Sequence, residues 1–181
     1  MLNYEQTKYA TNDILKVKEM LNIIAPNWVV SESLWEQDPI DTTIIDTTNS
    51  SFVRYAEIKG RTMSIHQYGD IIVDTNKIDF INNRVNETKN YCPSWNIAGI
   101  LFYVFHIENI VASIRTDVYV QNATLKDQIA KKSMASNQLK QKHWYKLDIF
   151  KPNGDVNYGV NLFDLNTKSI IKNQYDLLPF C

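Results

Sequence analysis

The run Ile97-Ala-Gly-Ile-Leu-Phe-Tyr-Val-Phe-His106 constrains the fold more than any other part of the chain. It shows no polar alternation and is dominated by β-branched and aromatic residues, so it suits a strand covered on both faces and not one with a side in water. At 181 residues the chain is long enough to enclose such a strand in one domain. The expected class is therefore α/β (α+β) with a mixed central sheet. One domain over residues 1–181 is expected, its core at about 11–116 and a C-terminal elaboration at about 117–181, since no repeat, linker or low-complexity stretch divides the chain.

Hydrophobic spacing supplies the covering layers. Thr11-Asn12-Asp13 reads as a helix start, and Ile14, Val17, Met20, Leu21 and Ile24 recur at helical spacing until Pro26, which cannot continue a helix. Residues 28–35 alternate as a strand. Residues 42–45 and 52–59 are rich in β-branched and aromatic types and 46–51 are turn formers, giving strand, turn, strand. Residues 70–74 are apolar, and Asp74-Thr75 can cap a helix carrying Ile78, Phe80, Ile81 and Val85, with Lys77 and Arg84 on one face. Ile110 to Ile114 reads as a neighbour of the central strand. The order to that strand is α-β-β-β-α-β. Beyond it, residues 123–133 read as a short helix, and 144–150 with 156–165 as a hairpin around Pro152-Asn153-Gly154-Asp155.

Composition excludes several function classes. A formal charge of −1 does not suit a protein that coats nucleic acid by overall charge, so a local basic groove would have to do so. Five glycines, none in a phosphate-cradling loop, give no expectation of a nucleotide cofactor. His66, His106 and His143 are too scattered for a zinc motif, and His106, ending the apolar strand, reads as a hydrogen-bonded core or rim residue. Cys92 and Cys181 read as free thiols. No basic segment precedes an apolar one at the N-terminus, and no apolar run approaches the roughly 20 residues that span a bilayer. A cytoplasmic protein without a membrane partner is expected. The abundance of Asn, Ile, Lys and Tyr points to AT-rich coding DNA, as in some bacteria and phages.

The chemistry lies in the predicted hairpin. A turn centred near Asn49 sets Asp41 directly opposite Glu57, where Cβ atoms are about 4.5–5.5 Å apart and two carboxylates can hold one cation. Alternation adds Lys59 to that face. A slip of one residue would send Asp41 to the other side of the sheet. Glu-x-Lys alone also suits a plain ion pair on a solvent-facing strand, so the pairing with Asp41 carries the weight.

Together with the element order, Asp41 and Glu57-Ile58-Lys59 resemble the PD-(D/E)xK nuclease superfamily, which includes many restriction enzymes, Holliday junction resolvases and phage nucleases. The likeness spans about residues 11–116, and Pro39-Ile40-Asp41 keeps that family's frequent proline near the acid with one residue intervening. The resemblance implies a restriction-endonuclease-like core with a C-terminal β and basic extension. It further implies a Mg²⁺-dependent (or Mn²⁺-dependent) phosphodiesterase that hydrolyses DNA, an endonuclease of phage or bacterial origin. Asp41 and Glu57 would bind the metal with the backbone carbonyl of Ile58, and Lys59 would orient or help deprotonate the attacking water. Many members add an acid from the first helix or strand; Asp13, Glu19 and Glu32 are the candidates here, Glu32 first by proximity. By analogy, cutting two strands with one small site implies a homodimer. The physical rationale stands apart from the family, because Mg²⁺ prefers a few carboxylates completed by water and phosphate oxygens.

Arg61, Lys77 and Arg84 are candidates for DNA phosphates. So is the stretch 126–146, where Lys131, Lys132, Lys140 and Lys142 lie near Trp144 and Tyr145, a mixture suited to backbone contacts and base stacking. The alternative is a catalytically inactive nuclease-fold protein that binds nucleic acid or a protein partner.

Overall fold

A computed structural model describes residues 4–32, 40–129 and 141–172. The first helix, α1 (Tyr4–Ile24), begins before the expected Thr11. Asp13 therefore lies inside the helix and does not cap it; its carboxylate instead meets the His106 ring, Oδ1 to Nε2 2.6 Å. The end is as expected: Ala25 N–H donates to Leu21 O at 2.7 Å and Pro26 follows. Val17, Met20 and Leu21 are buried, with Ile14 and Ile24 packed beside them.

Strands β1 (Trp28–Glu32), β2 (Thr42–Asp46) and β3 (Phe52–Arg61) form an antiparallel meander. β4 (Asp70–Asp74) leads without a break into α2 (Thr75–Tyr91), whose start is capped by the Asp74 carboxylate accepting from Asn76 N–H at 3.0 Å. β5 (Asn96–Phe105) is the strand buried on both faces. It runs parallel to β3 over the whole of both strands and antiparallel to β6 (Ile110–Arg115). After α3 (Thr116–Asn122) come β7 (Thr124–Ile129), β8 (Gln141–Asp148), β9 (Asn161–Asp164) and β10 (Ser169–Lys172). The main sheet is mixed and has the order β1-β2-β3-β5-β6-β9-β10; a second sheet has the order β4-β8-β7. Among the described residues, no helix is long and apolar enough to cross a membrane.

Strand alternation explains the layering. Phe52, Ala56, Ile100, Phe102 and Val104 pack with α1 residues on one face. Val53, Leu101, Tyr103 and Phe105 pack on the other, against Ile78, Ile81 and Val85 of α2 and Ile71, Val73 and Leu147 of the second sheet. Tyr119 of α3 ties these pieces together: its buried hydroxyl lies 3.0 Å from Ile71 O and 2.6 Å from Tyr145 O. Tyr119→Phe should cost about 1–2 kcal/mol of stability, the scale of a buried hydrogen bond whose acceptor is left behind. A denaturant midpoint equal to wild type would show that the hydroxyl contributes nothing.

Three expectations are corrected. The segment 70–74 is a strand of its own in the second sheet, so β4 stands between the meander and α2. Residues 124–129 are extended, not helical; β7 pairs along its length with β8, and this long-range ladder overrides the local helical pattern. The turn at 152–155 forms, with Lys151 N–H donating to Asp155 O at 2.7 Å and Gly154 at φ 84°. Its flanks, however, do not make a hairpin beyond the single bridge Phe150–Val156, because β8 joins the second sheet and β9 the main one.

Candidate functional site

The turn between β2 and β3 sets the register of everything that follows. Asp46 Oδ1 accepts from Thr48 N–H at 2.8 Å and Asn49 N–H at 3.2 Å, Asn49 Oδ1 accepts from Ser51 N–H at 3.1 Å, and Phe52 N–H donates to Asn49 O at 3.0 Å. These side-chain oxygens take the place of backbone partners, which is why Asp, Asn and Ser close such turns. The ladder then pairs Thr42 with Ala56, and Asp41 N–H donates to Ala56 O at 3.1 Å. The regular ladder ends at that pair: this bond reaches Ala56 a second time, so Asp41 sits at a bulge and not directly opposite Glu57 as the sequence reading expects, and it is the Asp41 carboxylate that comes against Glu57.

Asp41, Glu57 and Lys59 share the α2 face of the sheet. Lys59 Nζ lies 3.4 Å from Glu57 Oε1. From the first turn of α2, Lys77 Nζ reaches Glu57 Oε2 at 2.9 Å and Asp41 Oδ1 at 3.9 Å. The Glu57 side chain is only 4% exposed, whereas that of Asp41 is 33% exposed. Burial is the main reason that the Asp41 carboxyl is pushed up from 3.8 to about 6; the charge of Glu57 adds to this, while the Ile58 N–H and Lys77 oppose it.

These groups suit one hard cation. Asp41 Oδ2 accepts from Ile58 N–H at 2.7 Å, and in an extended strand the carbonyl of a residue leaves by the same edge as its N–H. The Ile58 carbonyl therefore faces the Asp41 side. The Lys77 ammonium, against both carboxylates, already stands in for a positive ion. Among the described residues no group of three or more His, Cys, Asp or Glu could hold a metal, so an ion here would need water or substrate oxygens to complete its shell. That is the habit of Mg²⁺ and not of a closed zinc site.

Of the candidate third acids, Asp13 and Glu19 do not join this site. Asp13 is buried on the α1 face beside Gly60, where an added Cβ would meet its carboxylate oxygens at 2.4 and 2.5 Å. Desolvation holds its carboxyl above the usual range, with His106 opposing. Glu19 is exposed on α1. Glu32, the last residue of β1, pairs along the backbone with Thr42. His106 is hydrogen-bonded at the rim, as expected.

Of the phosphate candidates, Arg61 follows Lys59 by two residues on the same strand, its guanidinium 5.2 Å from the centre of the Tyr103 ring. Arg84 is exposed on α2, two turns beyond Lys77. Lys131, Lys132 and Lys140 lie outside the described residues. Lys142 belongs to β8, paired with Gln128, and Lys146 lies 3.4 Å from Asp70 and 3.3 Å from Asp148. The contact of Lys77 with both acids was not foreseen. A signal for it exists in the sequence, since a lysine near the start of a helix sits where the dipole favours an acid. No protein-family model, curated protein or solved structure matches this chain.

Proposed function

We propose that this protein is a Mg²⁺-dependent (or Mn²⁺-dependent) nuclease that hydrolyses DNA phosphodiester bonds within the strand. The observation that carries this reading is the meeting of the Asp41 and Glu57 carboxylates where the β2–β3 ladder ends, with Lys59 two residues beyond Glu57 on the same face. The finer fold, a single domain with a restriction-endonuclease-like core, is part of the proposal. It is supported by the meander β1-β2-β3 followed, through α2, by the parallel strand β5.

In this reading Asp41, Glu57 and the Ile58 carbonyl hold the ion, and Asp41 is itself fixed by the Ile58 N–H. When bound, the ion would supply a Lewis acid for the phosphate and make water a better nucleophile. Lys59 orients that water and offsets charge that develops on the phosphoryl oxygens. Arg61, on the same face, offers a two-pronged grip for a flanking phosphate.

A specific observation also favours the inactive alternative: Lys77 and Lys59 together already neutralise the two acids, as a purely structural ion cluster would. Incubation with linear, circular, single-stranded and branched DNA, with Mg²⁺, Mn²⁺ or EDTA, separates the two. Metal-dependent cleavage of any of these substrates supports the nuclease. Intact substrates throughout, from protein that is folded and binds DNA, would favour the binding protein.

A further inference from the structure

We propose that Lys77 is the internal counter-ion of the metal site: its ammonium holds the cation's place between Asp41 and Glu57 until a divalent ion displaces it, and then turns to the phosphodiester. This rests on the metal-dependent reading above and adds a residue and a sequence of events to it.

Two independent observations carry it. The first is position, with Nζ 2.9 Å from Glu57 and 3.9 Å from Asp41. The ion that both acids would share and the ammonium that they do share compete for the same oxygens. The second is the helix. α2 has no acidic residue in its first turn and carries Lys77 there instead, against the preference of the helix dipole. The carboxylates of Asp41 and Glu57 across the gap compensate for that placement. Because β4 runs straight into α2 and Asp74 caps its start, the Lys77 backbone is held firmly. Its side chain is a four-carbon stem with rotatable bonds, which allows the ammonium to change partners.

Charge balance gives the direction of the swing. Asp41 and Glu57 are matched by Lys59 and Lys77, so a divalent ion entering the cluster leaves an excess of positive charge. An incoming phosphodiester relieves it and gives the displaced ammonium a new anionic partner. Metal and DNA should therefore bind cooperatively, and a negatively charged phosphate is the ligand class that Lys77 would take.

The test is calorimetric titration of Mn²⁺ into wild type, Lys77→Gln and Lys77→Arg without DNA, followed by duplex binding in Ca²⁺. Removing the competing charge should tighten Mn²⁺ binding by about tenfold, the scale of one close charge in a half-buried cluster. Duplex affinity should fall in the same variant, and Lys77→Arg should return both towards wild type. Binding of Mn²⁺ by Lys77→Gln but not by wild type supports the proposal in its strongest form. Equal or weaker Mn²⁺ affinity in Lys77→Gln overturns the competition while leaving the metal site standing, and unchanged duplex affinity overturns the swing. If none of the three proteins binds Mn²⁺, the metal reading fails and the proposal falls with it.

Discussion

Lys59→Ala and Asp41→Asn should each lower metal-dependent DNA cleavage by about 100-fold or more, the scale seen when a group that stabilises transition-state charge is removed. Neither should unfold the protein. The Lys59 side chain is 29% exposed and its loss leaves Lys77 on Glu57. In Asp41→Asn, the amide oxygen can still accept from Ile58 N–H, and the like-charge contact with Glu57 is gone. Melting temperatures should be unchanged for Lys59→Ala and equal or higher for Asp41→Asn in metal-free buffer. Cleavage at wild-type rates by either variant would remove the proposed site.

The second large effect is on stability. An Asp41 carboxyl raised from 3.8 to about 6 binds its proton more tightly in the folded chain than in the unfolded one. Its contribution is fully present below about pH 4 and is lost as pH rises through about 6. The shift corresponds to about 3 kcal/mol for a fully enclosed group, and solvent at the exposed third of the side chain reduces it to about 1–2 kcal/mol. Asp13, also raised, changes stability in the same sense, so the difference between wild type and Asp41→Asn isolates the site. Above pH 7, Mg²⁺ or Mn²⁺ at a hundred times its dissociation constant should stabilise wild type by about 2.7 kcal/mol. Asp41→Asn should lose most of that gain. Equal thermal shifts in the two proteins, with or without metal, would mean that the acids form no metal site.

What could be read from the sequence was local. Turn formers from Asp46 to Ser51 fix the hairpin through bonds spanning two or three residues, so spacing alone placed Asp41 near Glu57, but not the departure from the ladder at Asp41, whose N–H returns to Ala56 O. The unbroken apolar run of β5 announced its burial, and Pro26 the end of α1. What could not be read depends on distant pairings. Residues 124–129 become a strand only because β8 lies beside them, and β8 is held in turn by β4. Asp13 meets His106 across 93 positions, with nothing near either residue to signal it. Lys77 looked like a phosphate ligand on a helix face, and only the packing of α2 on the sheet brings its ammonium to the two acids.

The parallel pairing of β3 with β5 also bears on the order in which the molecule assembles. Phe52 pairs with Asn96, so this ladder must wait until the intervening chain, β4 and α2 included, has been gathered in. The β2–β3 hairpin closes through a short turn and carries the smaller loop entropy cost. Hairpin closure can therefore run ahead of the crossover, bringing Asp41 and Glu57 face to face before α2 delivers Lys77. For that interval the nascent sheet holds two like charges with Lys59 as the only ammonium from its own strands, and the speed of this stage becomes sensitive to any cation that can stand between them.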